Sequence, residues 1–313
     1  VSHIHPDHYD ERYFDFPKDI PLIILNEGPN FLKKNLINKG YNNLIEIKND
    51  QTIEFNEFKL TIYKPFSKHI FEESLIGNLI DSALVLEDDN VTAINFNDNT
   101  PDENACSFLK NKFKNIDLAM LNYNAAGPYP SCFDNLSTKE KIDENNRILK
   151  RNFDHLCKII PILQPKSVLP FAGSYIIAGK NYYKNEYLGT TTADECANYL
   201  NNNLKFNSKV FCLRENQIYD IKKQQQLERY EKIDLNKMKN YIQSINNKKY
   251  DYENDDMPDI PKLINEIKIA SNKMLESVKR FNIELNTNVF IEVDKKNIKI
   301  VEGHDKNRKL YCN

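Results

Sequence analysis

No stretch of this 313-residue chain approaches the roughly 18 consecutive apolar residues of a membrane-spanning helix, so no contact with a membrane is expected. No secretory leader is visible either. Charge of neither sign dominates: 43 Lys and Arg face 45 Asp and Glu, a net charge of −2, which argues against a nucleic-acid footprint and against an acidic tail. The six cysteines are scattered, with no Cys-x-x-Cys pair among them, which argues against a disulfide framework and suits a reducing compartment; a cytoplasmic location is expected. Glycine is scarce, 8 residues where an average composition of about 7% would supply more than twice as many. Asparagine is abundant instead. This reads as a compositional bias of the genome and carries no functional signal.

What the chain does have is concentrated at its start. Val1-Ser2-His3-Ile4-His5-Pro6-Asp7-His8 contains His-x-His-x-Asp-His, and half of the six histidines lie there. Side chains two apart in extended backbone point the same way, so His3 and His5 can offer two imidazoles to one cation. Pro6 interrupts any regular element. A turn there would swing Asp7 and His8 towards a second cation beside the first. Imidazole with carboxylate suits zinc, iron or manganese better than calcium. The plain alternative is a polar surface turn holding three unrelated histidines.

The motif resembles the signature of the metallo-β-lactamase superfamily. That resemblance implies a four-layer αβ/βα sandwich with one or two divalent metal ions at the sheet edge, zinc first and iron second. It implies that His3, His5 and a later histidine hold one metal, while Asp7, His8 and a further acidic residue hold the other. His69, in a loop after the strand-like run Phe58 to Tyr63, is the candidate for the later histidine. Asp98, where the apolar run Val91 to Phe96 breaks into a polar turn, is the candidate bridging carboxylate. Read without the resemblance, His69 is an exposed loop histidine and Asp98 the head of an Asx turn. The family's last histidine is missing: the matching stretch, Ser167 to Tyr175, offers no imidazole. A mononuclear site, or a weakly held second metal, is therefore expected.

Asn122-Tyr123-Asn124-Ala125-Ala126-Gly127-Pro128-Tyr129-Pro130, Leu163-Gln164-Pro165-Lys166 and Pro170-Phe171-Ala172-Gly173 are similar to the metallo-β-lactamase part of CMP-N-acetylneuraminate hydroxylases. Asp81-Ser82-Ala83-Leu84-Val85-Leu86 and Asn97-Asp98 extend the likeness, which covers roughly residues 80 to 200. It implies a nucleotide-sugar or sugar-like ligand, with Tyr123, Asn124, Phe171 and Tyr175 lining its pocket; ordinary loop packing is the alternative for these four. Such hydroxylases use a Rieske cluster held by two Cys and two His. No Cys in this chain stands near a His at that spacing, so a Rieske-type electron donor would have to lie upstream or on a partner. Val1 is expected to be internal to a longer protein, because the chain starts at the metal motif and not at the strands that precede it in this fold. The first part of one sheet would then be absent. The abrupt Lys309-Leu310-Tyr311-Cys312-Asn313 ending suggests a second cut.

Short apolar runs alternate with helical patterns, as in an α/β protein. Strands are predicted near 22–25, 44–47, 82–87, 91–95, 117–121, 167–170 and 209–212, and helices over 30–39, 100–115 and 138–160. The last carries a Ser137/Glu140 capping pattern and an apolar stripe of Ile142, Leu149, Phe153, Leu156 and Ile160, with Pro161 as its stop. Residues 1–219 form the expected metal-binding domain. Residues 220–313 read as a small α+β appendage: a polar helix over 221–247, an acidic linker, a helix over 262–281 and a β-hairpin around Asp294-Lys295-Lys296. Its apolar stripe is read as packing.

Three functions fit. The first is a metal-dependent hydrolase acting on a sugar-like or phosphorylated small molecule, with Asp7 as the catalytic carboxylate. The second is the metal domain of an oxygenase, and the third a metal-stabilised binding module.

Overall fold

The computed structural model describes residues 1–5, 7–27, 30–67, 81–124, 126–171, 173, 175–256, 258–284, 289–293 and 296–301. Its centre is a seven-stranded sheet in the order β3-β4-β5-β6-β7-β8-β9. The strands are β3 (Thr52–Phe55), β4 (Phe58–Tyr63), β5 (Ala83–Glu87), β6 (Thr92–Asn95), β7 (Ile116–Asn122), β8 (Pro165–Phe171) and β9 (Lys209–Val210). Neighbours from β3 to β6 run antiparallel, and those from β6 to β9 run parallel. The start of β5 therefore lies at the same sheet edge as the C-terminal ends of β6, β7 and β8.

Pleating sends alternate side chains to opposite faces, and each face finds its own cover. On one face Val85, Ile94, Ala119, Leu121 and Val168 pack under α2 (Glu103–Lys112), α3 (Thr138–Leu163) and α4 (Ala193–Asn203) through Leu109, Leu156, Ile160 and Leu200. On the other, Leu60 and Ile62 meet Leu25 and Ile47 of a parallel pair, β1 (Leu22–Leu25) and β2 (Leu44–Ile47). The far side of that pair carries α1 (Phe31–Asn38) through Ile24, Leu32, Leu36 and the buried Tyr41. Helix, two-stranded sheet, seven-stranded sheet and helices make four layers, an α/β sandwich as expected. Leu118 and Leu169 lie beyond the reach of the small sheet and are covered by Phe211, Tyr219 and Ile221. These belong to the segment leading into the hairpin of β10 (Tyr219–Asp220) and β11 (Gln225–Gln226).

Local sequence sets the helix ends. Asn30, Asp102 and Thr192 each accept a backbone N–H of the following first turn, and the Ser137/Glu140 capping box is formed in both directions. Pro161 does not stop α3. The helix runs on to Leu163 and ends at Gln164 in the left-handed conformation, because Ile159, Ile160 and Leu163 are fully buried and offset the one backbone bond that proline removes. The buried stripe also differs from the sequence reading: Ile142 is exposed, while Ile148, Phe153 and Leu156 face the sheet. Lys141 is buried instead, its ammonium against the Ser131 carbonyl, Asp134 and the Tyr187 ring.

The long polar helix predicted over 221–247 is not formed. Only α5 (Leu235–Ser244) is helical there, since the preceding residues spend their hydrogen bonds on β10, β11 and turns. α6 (Ile260–Arg280) follows, its half-buried stripe of Leu263, Ile267 and Met274 leading to buried Val278, and it rests against the hairpin of β12 (Val289–Val293) and β13 (Lys296–Val301). β3 and α4 carry no strong pattern and were not expected. Among the described residues no helix is long and apolar enough to cross a membrane.

Leu156→Ala should cost about 2–5 kcal/mol, because it empties a fully enclosed site between α3 and the sheet. Leu235→Ala on α5, where the side chain is 44% exposed, should change stability by less than about 0.5 kcal/mol. Urea unfolding of both variants checks this; equal losses would show that α5 is packed as tightly as α3.

Candidate metal centre

Among residues 1–5, 7 and 8 none lies in a strand. They bend and turn, with the His8 and Tyr9 amides donating to the His5 carbonyl at 2.9 and 2.8 Å. The Val1 amine reaches the Ile23 carbonyl, so the segment runs beside β1 and over the edge where β5 begins and β6 ends. Burial of Tyr9 in the core beneath α1 anchors its far end.

Asp98 sits just past β6 and is held from both sides. Asn97 adopts a left-handed backbone at φ 48° and donates its amide to the Ser82 carbonyl at 2.7 Å. Asn99 is fully buried, accepting from the Phe66 amide and donating to the Lys64 carbonyl. The two flanking asparagines thus hold the turn from which the Asp98 carboxylate faces the histidines.

The side chains converge there. Nε2 of His3 and Nε2 of His8 each lie 3.5 Å from Asp98 Oδ2, and one ligand atom from each of these three residues falls within 4.8 Å of the others. Ligands at about 2.1 Å around a tetrahedral centre stand about 3.4 Å apart, so the two 3.5 Å distances to Asp98 are those of donors that could share one divalent cation. His5 is placed differently. Its Nδ1 is 2.7 Å from His3 Nε2, a hydrogen-bond distance, and 3.9 Å from Asp98 Oδ2. The donors and their spacing fit a divalent metal held by His3, His8 and Asp98, with His5 alongside.

Burial works against a charge on His3, yet the Asp81 and Asp98 carboxylates outweigh it and raise its pKa to about 9. Asp98 is held well below the usual carboxylate range by hydrogen bonds from His3 and His8, with burial opposing. A protonated His3 donates from both nitrogens, to Asp81 through Nδ1 and through Nε2 towards both His5 Nδ1 and Asp98 Oδ2. A cation ligated by Nε2 would take the place of the second proton.

Asp7 is brought only to the rim: its carboxylate is 76% exposed and lies 3.6 Å from His8 Nε2. His69 lies outside the described residues. The remaining predicted residues spread along the same sheet edge, since Asn122 and Phe171 pair in register at the ends of β7 and β8. Phe171 and Tyr175 are partly exposed, with the Tyr175 hydroxyl donating to the Gly127 carbonyl. Tyr123 is packed in the core with α3 and α4, where burial raises its hydroxyl pKa. Asn124 is a clamp, accepting from the Thr191 amide and donating to the Thr191 carbonyl, both at 2.9 Å. His155 is committed elsewhere, its Nε2 being 2.9 Å from the Pro101 carbonyl.

The reading from residues alone missed Asp81 and Ser2 as members of the site. Asp81 is buried, with Oδ1 3.1 Å from His3 Nδ1, and the Ser2 hydroxyl lies 3.1 Å from Nδ1 of both His3 and His8. An acidic residue directly before an apolar strand was the available signal for Asp81.

No family model matches the sequence, and no curated protein matches it. The structure is similar to an isothiocyanate hydrolase from Delia radicum gut bacteria, with TM-score 0.42, 13% identity, and 68% of this chain and 72% of that chain covered. It is similar to the metallo-beta-lactamase fold protein YhfI from Bacillus subtilis, with TM-score 0.39, 16% identity, and 68% and 73% covered. It is also similar to CmlA, a diiron beta-hydroxylase from Streptomyces venezuelae, with TM-score 0.40, 10% identity, and 68% of this chain but 42% of that chain covered.

With the His3 pKa raised to about 9, a metal bound through His3 would have to displace that proton. Affinity for zinc should rise by about tenfold per pH unit between 6.5, the ordinary histidine value, and 9, then level off. Without metal the sign reverses. The paired His3 stabilises the fold below pH 6.5, and that contribution is lost as pH climbs through 9. Zinc titrations across this range check the first statement; a flat affinity would remove His3 from the ligand set.

Proposed function

We propose that this protein is a metal-dependent hydrolase of metallo-β-lactamase architecture, acting on a sugar-like or phosphorylated small molecule. The observation that carries the reading is the 3.5 Å spacing of two imidazole nitrogens from one carboxylate oxygen at an accessible sheet edge. His3 is 1% exposed while His5 and Asp98 are 46% and 38% exposed, so the donors are anchored from below and open above. A bound divalent cation supplies Lewis acidity there, lowering the pKa of water towards about 7 and polarising a carbonyl or phosphoryl oxygen.

His3, His8 and Asp98 hold the cation, and His5 adds a donor on the exposed side. Asp7, at the rim beside His8, is the carboxylate that takes up a proton at Oδ2. Phe171 and Tyr175 contribute an apolar and a hydroxyl-bearing wall at the ends of the parallel strands. The sugar-like ligand class rests on the similarity of the 80–200 segment to CMP-N-acetylneuraminate hydroxylases. The end of β8 bears Phe171 where a further histidine would complete a second site, which favours one tightly held metal.

A second reading is favoured by the donor set itself. Two histidines and one carboxylate with open positions also suit iron(II) in oxygenases, and such a role would call for a Rieske-type electron donor outside this chain. Metal content of protein purified without added metal separates the two. About one equivalent of zinc, lost in Asp98→Ala and retained in His155→Ala, supports the hydrolase; one equivalent of iron turns the assay towards oxygen chemistry. Absence of metal from the wild type, or equal content in all three proteins, would overturn the site.

A further inference from the structure

Asp81 is a costly residue to place where it is. It is 5% exposed, directly before β5, and its Oδ1 accepts from the Ser82 amide at 2.6 Å and stands 3.1 Å from His3 Nδ1. Its Oδ2 is buried with no hydrogen-bond partner among the described residues. A carboxylate stripped of water with one oxygen unsatisfied destabilises a fold unless positive charge compensates it. No Lys or Arg forms an ion pair with it among the described residues; the facing group is the His3 ring, itself 1% exposed.

We infer that Asp81 is a positioning residue for the metal centre: it binds the Nδ1 proton of His3, locks the ring and leaves Nε2 as the nitrogen that ligates. This rests on the metal-site reading above and adds the group that decides which nitrogen is used. The geometry is that of a carboxylate–histidine–metal arrangement, in which a buried acceptor fixes tautomer and ring orientation and makes the ligating nitrogen more basic. Ser2 does the same for the neighbouring ring. The single Nδ1 proton of His3 goes to Asp81, so the Ser2 hydroxyl oxygen, 3.1 Å from His8 Nδ1, accepts the His8 proton and leaves Nε2 of His8 turned to Asp98. Both Nε2 atoms then face one Asp98 oxygen. The backbone reinforces this, because Ser82 Oγ donates to the Ser2 carbonyl and Asn97 ties Ser82 to the Asp98 turn.

The test compares the wild type with Asp81→Asn and Asp81→Ala. Zinc affinity is measured by chelator competition, the cobalt(II) form by its absorption bands, and the His3 protonation site by ¹⁵N NMR of the zinc-loaded protein. Asp81→Ala should lose about 10- to 100-fold in zinc affinity. Asp81→Asn, whose amide oxygen still accepts from Nδ1, should fall between that variant and the wild type. The cobalt bands should shift in both, a change in the metal's own surroundings that loss of a purely structural contact would not produce; the metal-free melting temperature should fall in both, since His3 then lacks its buried carboxylate partner. Wild-type affinity in Asp81→Ala, with unshifted cobalt bands, would overturn the inference while leaving the metal site standing. If both variants fail to fold, the wild-type spectrum decides: a proton on His3 Nδ1 supports the inference, and one on Nε2 overturns it. A wild type that binds neither zinc nor cobalt removes the metal site itself, and the inference with it.

Discussion

β5 and β6 pair antiparallel, Leu84 against Asn95, and that register places the residues before β5 beside the residues after β6. Asp81 and Asp98 stand on those two flanks, 17 positions apart in sequence and on either side of one imidazole. Two carboxylates facing one buried ring would repel each other, and the arrangement persists because the ring between them carries a positive charge or a cation. The hydrogen bond from Asn97 to Ser82 and the buried Asn99 hold the two flanks together. Everything else at the site leans on that pairing.

The four layers serve the same end. The parallel strands β6, β7 and β8 finish at one edge, where loops have room to carry polar groups without breaking the ladder. Helices α2 to α4 bury one face of the sheet, and the small β1–β2 pair under α1 buries part of the other. The N-terminal segment is pinned between the two sheets through Val1 at β1 and Tyr9 in the core beneath α1. His3 is driven into the interior by this pinning, while His5 and Asp7 stay at the surface. A candidate site with a buried floor and an exposed rim follows from where the segment is tethered.

Electrostatics explains why the histidines divide their work. His3 lies between two carboxylates and is buried, and the carboxylates raise its pKa despite that burial. His8 touches Asp98 directly and Ser2 through its other nitrogen. His5 is bonded to His3 and faces solvent, which makes it the most adaptable of the three.

Much of this was legible in the residues. Close spacing of His3, His5, Asp7 and His8 and the break after Phe96 pointed to a candidate metal site, and the structure brings His3, His8 and Asp98 together. The strands were visible because buried β-structure is written as short apolar runs, and the capping pattern at Ser137 located the start of α3. Local patterns do not carry distances across the chain. Tyr123 and Asn124 lie in a stretch that reads like a binding loop, yet one ring is core and the other side chain is a clamp, because pleating and the approach of Thr191 decide which way each points. Pro161 stays within its helix because tertiary burial of Leu163 outweighs a local rule. The sequence by itself determined the strand-and-helix alternation and the cluster of candidate ligand types at the N-terminal segment. Tertiary structure alone decided that His8 shares a carboxylate with His3, that Asp7 stays at the rim, and that Asp81 stands behind the ring. Those outcomes depend on the β5–β6 register and on burial, which no run of neighbouring residues contains.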